Sequence, residues 1–312
     1  MLLFLMKKAS SRLINVLRLA RPLFLVGGFI FYGLGVMVAL YQEVRLDVTV
    51  LLCGQVAVTA TQLMTHFSND YYDLSADRAN TTPTRWSGGS RVLAEGLVSP
   101  RTGLWLAVAC GAVALAATAI LVGVARAGPW AVGLLLVAVA LAWFYSAPPL
   151  RLHSRGLGEL TVSLIVPVLT PAVGYTLQVG RPGWLPLLVV FPLACFQAAM
   201  ILVINFPDAA GDLQAGKRTL VVRLGAPRAA RLHAALLATA YLSLPLLVGA
   251  GLPPLVGMGL LVPLPLGGWL VWRMVGGAWR EPAAWGGLAF WSIGLLMASA
   301  GLALLTFGWL TV

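Results

Sequence analysis

Long apolar runs, broken at intervals by short polar stretches, set the pattern of this chain. A helix needs about 20 apolar residues to cross the hydrocarbon core of a bilayer. Runs of that length lie over 22–41, 48–71, 102–125, 129–146, 158–179, 184–206, 229–250, 252–272 and 284–310. The pattern predicts nine transmembrane helices, an all-α integral membrane fold in a single domain over 1–312. Between the seventh and eighth runs, Gly251-Leu252-Pro253-Pro254 leaves only a tight turn. Inside the second run, Gln55, Thr59, Gln62, His66, Asp70 and Asp73 recur at helical spacing and form one polar stripe. Polar side chains are disfavoured in hydrocarbon, so the stripe should face the bundle interior. There it either lines a cavity or hydrogen-bonds a neighbouring helix.

Composition agrees with the pattern. Of 312 residues, 60% are hydrophobic and 10% charged, against roughly 45–50% and 25% in soluble domains. Soluble enzymes, disordered chains and disulfide scaffolds are excluded. Cys53, Cys110 and Cys195 sit inside apolar stretches with no CxxC pair, and read as small buried hydrophobes. Met1–Met6 is too short for a signal peptide and precedes Lys7 and Lys8, the reverse of a signal's order.

The net charge of +11 lies between the spans and needs no nucleic-acid partner. The N-terminal segment and the connections after spans two, four, six and eight hold 18 of the 21 Lys and Arg residues; only Arg45, Arg126 and Arg181 lie on the other side. Positive charge is retained in the cytoplasm. The expected topology has the N-terminus inside, the C-terminus outside, and the chain in the plasma membrane.

Five of the ten acidic residues fall in two short stretches, Asp70, Asp73 and Asp77, then Asp208 and Asp212. Both lie where an even-numbered span reaches the cytoplasmic face. On a helix, Asp70, Asp73 and Asp77 fall within roughly 60° of one another, and Asn205, Asp208 and Asp212 repeat the spacing. Two such clusters repel unless they bind a cation, and Mg²⁺ takes one or two carboxylates plus phosphate oxygens. Lys217 and Arg218 follow, suited to the rest of a phosphate group. Gly211 to Lys217 reads G-x-x-x-x-G-K, but Arg218 stands where a P-loop needs Ser or Thr, and a membrane span precedes it.

Asn69-Asp70-Tyr-Tyr-Asp73-Leu-Ser-Ala-Asp77 resembles the N-D-x-x-D-x-x-x-D motif of the UbiA superfamily of membrane prenyltransferases. Asn205-Phe-Pro-Asp208-Ala-Ala-Gly-Asp212, followed by Ala-Gly-Lys217-Arg218-Thr219-Leu, resembles its second motif. Ser87-Gly-Gly-Ser-Arg91, Tyr145-Ser146-Ala-Pro-Pro and Gly156-Leu-Gly-Glu159 are also similar. The filler Ala209-Ala210-Gly211 departs from the pattern, lacking the charges that many relatives carry there. The tail G-K-R-T-L-x-V-R-L-G is most similar to that of 1,4-dihydroxy-2-naphthoate prenyltransferases of menaquinone synthesis. The 4-hydroxybenzoate enzymes and other quinone or lipid prenyltransferases are close rivals.

The resemblance implies nine helices around a central cavity open to the cytoplasmic face. It implies Mg²⁺-dependent transfer of an isoprenoid chain from a prenyl diphosphate to a small aromatic acceptor in quinone biosynthesis, with no obligate protein partner. On that basis Asp70, Asp73 and Asp77 form one metal site and Asp208 and Asp212 another, with Asp73 and Asp208 central to catalysis. Asn69, Asn205, Lys217, Arg218 and Arg21 are the expected diphosphate-binding residues. Tyr145 is expected to turn its ring face to the nascent carbocation. His66, Gln62 and Glu159 are expected in the acceptor cavity, Glu159 either holding a basic partner or helping to deprotonate the acceptor. His153 and His233 are expected to be solvated. A transporter is the alternative of a different class, but its acids tend to lie at the bilayer midplane on broken helices.

Overall fold

The computed structural model describes residues 13–312, so the leader reading of Met1–Lys8 lies outside the described residues. Every regular element among them is helical. Residues 13–20 are helical, and Arg21 turns the chain through a left-handed backbone (φ 51°) into the first span. The spans are α1 (Pro22–Tyr41), α2 (Val48–Tyr72), α4 (Pro100–Gly123), α5 (Pro129–Ser146), the composite α6–α7 (Gly158–Leu164 and Thr170–Val179), α8 (Trp184–Asn205), α11 (Ala226–Gly249), the pair α12–α13 (Pro254–Leu261 and Leu264–Val275) and α14 (Pro282–Leu310). Short helices α3 (Leu74–Ala79), α9 (Ala209–Gln214) and α10 (Leu220–Leu224) follow the two Asp stretches.

Eight described helices are long and apolar enough to cross a membrane, and the pair α12–α13 makes a ninth if counted as one span. That pair occupies the span expected over 252–272. It bends by 43°, at Pro263, where proline has no N–H to continue the helical ladder. The α6–α7 span carries a wide π turn over Ile165–Leu169 around Pro167. The span starts are set by local chemistry. Pro22, Pro100 and Pro129 occupy first-turn positions, and Asp47 and Ser99 cap α2 and α4 by accepting from the backbone N–H of Val50 and Thr102.

The bundle is closed by small residues as much as by large ones. α1 lies against α7 so closely that a Cβ on Gly35 would meet the Pro171 backbone, and one on Gly174 would meet the carbonyl of Tyr32. Helices approach in this way in membranes, where packing rather than water expulsion holds them together. α2 runs along α4, while α8 packs against α11 and α14, and α14 returns to α1. The result is a ring of helices with a cavity between α1, α2, α5, α6–α7, α8 and α14.

The i, i+3, i+7 spacing of the acids does not lie on one continuous helix, as expected. α2 ends at Tyr72, Asp73 takes a non-helical conformation (φ −91°, ψ 1°), and α3 starts again from it. The second stretch breaks likewise between α8 and α9, with Asp208 as the residue before α9. The two short helices α3 and α9 pack against each other, which brings both acidic stretches to one end of the bundle. Gly211 is what lets them touch, since a Cβ there would come within 2.9 Å of the Asn80 backbone nitrogen. Within the uncharged filler of the second motif, Gly211 is buried in this contact while Ala210 is exposed.

Candidate active site

The cavity has a volume of about 290 Å³. Its deep wall is apolar, built from residues such as Leu135, Ile165, Val173, Met200 and Leu296. Its other end is polar, with Arg21, Asn69, Asp73, Asp77, Asn205, Asp208, Lys217 and Tyr145 in the lining. Most of the residues expected in a site from sequence are thus brought together.

Asp73 is the hub of the polar end. Its Oδ1 lies 2.6 Å from His153 Nε2, and its Oδ2 accepts from Lys217 Nζ at 2.7 Å and from Asn69 Nδ2 at 3.2 Å. Lys217 also reaches Asp212 Oδ1 at 3.4 Å. His153 is 2% exposed. Its ring is clamped by the Tyr145 carbonyl oxygen at 2.7 Å on Nδ1 and lies against the Tyr145 ring at 5.3 Å between centroids. The expectation that His153 is solvated is corrected: the turn over Leu152–Arg155 folds it back onto the end of α5 and under α2. His233 is also buried, in α11, with no hydrogen-bond partner for either ring nitrogen among the described residues. It belongs to a membrane-spanning segment rather than to a solvated connection.

Asp208 is held by the segment after the first acidic stretch. Asn80 Nδ2 donates to its Oδ1 at 2.7 Å, and the Gly88 N–H donates to its Oδ2 at 3.1 Å. Asn80 in turn receives the Thr82 N–H. Trp86 and Gly88 line the cavity with Phe24, whose ring meets Trp86 edge to face. Sequence reasoning missed Asn80, Trp86 and Phe24. The Ser87-Gly-Gly-Ser stretch signalled the loop without indicating what it holds.

Four expected site residues lie outside the cavity lining, among them Asp212, which meets it only through Lys217. Asp70, 1% exposed, is ion-paired to Arg21 and accepts from the Ser90 hydroxyl and N–H. It fixes Arg21 and the loop after α3. Glu159, 2% exposed, uses Oε1 to accept from Asn205 Nδ2 and from the Leu220 N–H, each at 2.9 Å, so its partner is not a basic group. Its Oε2 is buried without a partner. Arg218 is exposed, and among the described residues only its backbone is engaged, donating to the Ser154 carbonyl. Gln62 and His66 do line the cavity, and also bond to helix α1 and the turn before it: Gln62 Nε2 donates to Phe24 O at 2.7 Å, and His66 Nδ1 meets Ala20 O at 2.8 Å. The polar stripe serves both uses at once.

The electrostatics call for positive charge. Burial alone would raise the Asp73 carboxyl, but Lys217 and His153 against it outweigh burial and hold it well below the usual carboxylate range. The same pairing works on Lys217, where Asp73 and Asp212 overcome burial and push the ammonium up. Burial pushes Asp77 up to about 7, reinforced by Asp73, and Asp212 up to about 6 despite Lys217. Asp208 is also raised by burial. Asp212 Oδ2 is buried and unpartnered. No three His, Cys, Asp or Glu side chains among the described residues stand ready to enclose a metal. A hard cation that takes one or two carboxylates and completes its shell with phosphate oxygens needs no such set, and the orphaned carboxylate oxygen fits one.

A bundle of apolar helices around a cavity that is oily at depth and carboxylate-rich at one end defines a polytopic membrane protein with a charged, buried site. The UbiA prenyltransferase family matches residues 28–294, and the chain belongs to it. Among curated relatives, the 1,4-dihydroxy-2-naphthoate octaprenyltransferase of Mycobacterium tuberculosis is 31% identical over 191 residues, 61% of this chain and 63% of that one. The bacteriochlorophyll synthase 33 kDa chain of Cereibacter sphaeroides is 30% identical over 197 residues, 62% of this chain and 57% of that one. The chain thus matches less than two thirds of the length of these relatives. A UbiA homolog from Archaeoglobus fulgidus, solved bound to GPP and Mg²⁺, shares the fold with a TM-score of 0.61 at 15% identity, over 94% of this chain and 99% of that one.

Proposed function

We propose that this protein is an integral membrane prenyltransferase that moves an isoprenoid chain from a prenyl diphosphate to 1,4-dihydroxy-2-naphthoate in quinone biosynthesis, with Mg²⁺ as cofactor. The observation that carries this is the two-ended cavity: an apolar chamber for a prenyl chain, joined to a mouth where Lys217 and Arg21 stand among buried carboxylates. The naphthoate relatives support the choice of acceptor. The proposed enzyme is a single domain over 1–312 in the plasma membrane, with its N-terminus and cavity mouth cytoplasmic and its C-terminus outside.

Asp73, Asp77, Asp208 and Asp212 are the residues that would hold Mg²⁺. Bound there, it acts as a Lewis acid toward the leaving diphosphate, worth several kcal/mol of charge stabilisation. Lys217 and Arg21 donate to diphosphate oxygens, and Asn69 and Asn205 orient the carboxylates beside them. The prenyl C–O bond breaks with its electron pair leaving on inorganic diphosphate, a C–C bond forms to the acceptor ring, and the displaced ring proton passes to the released diphosphate. Tyr145 lines the cavity, its ring held against His153, and in the proposed reaction its ring face favours the allylic cation. The apolar wall keeps water from the cation until the acceptor attacks.

The test offers the purified protein a series of prenyl diphosphates with 1,4-dihydroxy-2-naphthoate, 4-hydroxybenzoate and a lipid alcohol, and identifies products by mass. A prenylated naphthoate is expected. Prenylation of 4-hydroxybenzoate alone would overturn the acceptor assignment, and no product with any pair would overturn the activity.

A further inference from the structure

A second, smaller cavity of about 60 Å³ lies on the far side of the Asp73–Lys217 pair. It is lined by Tyr72, Asp73, Arg151, Ser154, Gly216 and Lys217. We propose that it is a phosphate-class anion site that takes up the inorganic diphosphate leaving the main cavity; this rests on the prenyl-transfer function proposed above.

The case is one of placement and charge. Among the described residues, Asp73 and Lys217 alone line both cavities, so this ion pair is the partition between them. A lysine ammonium is a point charge on a flexible four-carbon stem, and can follow an anion from one side of the partition to the other. The small cavity adds Arg151, whose side chain forms no ion pair or hydrogen bond among the described residues although its backbone is pinned in a left-handed conformation (φ 46°). Ser154 and Tyr72 contribute hydroxyls. Asp73, the one carboxylate in the lining, already has both oxygens engaged by His153, Lys217 and Asn69. The free positive charge is the Arg151 guanidinium, while Lys217 is shared with Asp73 and Asp212 and the Ser154 hydroxyl with the His153 ring. The turn bearing Ser154 is stitched to the turn bearing Lys217 by the Arg218 N–H on the Ser154 carbonyl, 3.0 Å, so the donors from both turns stay together. The volume holds several waters, enough for one phosphoryl group with the other in solvent, and Arg151 and Gly216 are exposed at its rim.

The test fills the main cavity of the purified full-length protein with an unreactive prenyl thiolodiphosphate in lipid-free detergent, then measures binding of radiolabelled inorganic diphosphate. Wild type should bind the label alongside the analogue. Arg151→Glu should weaken the label's affinity about tenfold or more, the scale of a charge-assisted contact. Arg151→Lys should retain most of it, and both variants should bind the analogue within about twofold of wild type. Because Arg151 is exposed and unpartnered, neither change should disturb folding. Complete displacement of the label by the analogue in wild type, or wild-type affinity in Arg151→Glu, would overturn the proposal. So would release of the label by phosphatidylglycerol in nanodiscs with no rebinding at millimolar diphosphate, since the site would then belong to a lipid headgroup. If wild type fails to bind the analogue at all, the prenyl diphosphate function itself is contradicted, a result distinct from failure of the second site.

Discussion

Glu159→Leu and Glu159→Gln together separate holding from chemistry at a residue that sequence alone left between the two. Glu159 opens α6 with one carboxylate oxygen accepting from the Asn205 side chain and the Leu220 N–H. Leucine fills similar space but leaves both half-buried donors unmet. A fully buried unsatisfied donor costs about 1–3 kcal/mol, and water reaches these two in part, so Glu159→Leu should destabilise the protein by about 1–3 kcal/mol. It should also lower kcat, because Asn205 in the cavity lining and the segment carrying Lys217 both lose their anchor. Glutamine keeps an acceptor oxygen in place and gives up only a charge near a helix N-terminus, worth about 0.3–1 kcal/mol. Glu159→Gln should therefore stay within about 1 kcal/mol of wild type and keep most of its turnover. Denaturant unfolding in detergent, paired with steady-state kinetics on each variant, reads both quantities. If Glu159→Gln loses as much turnover as Glu159→Leu while remaining stable, the negative charge itself is used, as a base would require, and the anchoring account fails.

Three further outcomes are expected. His66→Leu removes the bond to Ala20 O and a polar group from the cavity wall; it should raise the acceptor KM or lower kcat with little change in the diphosphate KM, and unchanged kinetics with only a lower thermal midpoint would make His66 packing alone. Gly35→Ala drives a methyl into the Pro171 backbone and should destabilise by about 1–3 kcal/mol, measured by the same unfolding assay; wild-type stability would contradict the close α1–α7 contact. On a background with the native cysteines replaced, Thr81→Cys, at an exposed position of the loop after α3, should react with an impermeant thiol reagent only from the cytoplasmic side and Gly180→Cys only from outside, and the reverse pattern would overturn the proposed orientation.

The span pattern was legible because a bilayer imposes one length scale on every segment. The ends of α1, α2, α5, α8 and α14 lie within two residues of their expected positions, with Pro and cap residues accounting for them. The break at Pro263 was written in the sequence too, but a hydropathy window averages over a single proline. The acidic residues were identifiable by spacing, yet spacing assumes one unbroken helix, and Asp73 ends one. That break aims Asp73 and Asp77 into the cavity while Asp70 pairs with Arg21. His153 was unreadable for a different reason. Its partner Asp73 lies 80 positions away, and no periodicity links a short turn after one span to the end of another. Asn80 on Asp208 is hidden in the same way, by a loop that returns over α9.

The central claim is that the carboxylates at the cavity mouth drive cleavage of an allylic diphosphate for transfer to an aromatic ring. It is tested most directly by counting inorganic diphosphate and prenylated acceptor in one reaction of wild type, of Asp73→Asn and of Asp208→Asn, each with Mg²⁺ and with excess chelator. Equal amounts of the two products are expected from wild type with Mg²⁺, falling by a hundredfold or more, about 2.7 kcal/mol or more in barrier, in either variant or in chelator, with both variants still folded. Full turnover in chelator, or wild-type turnover in both variants, would contradict it.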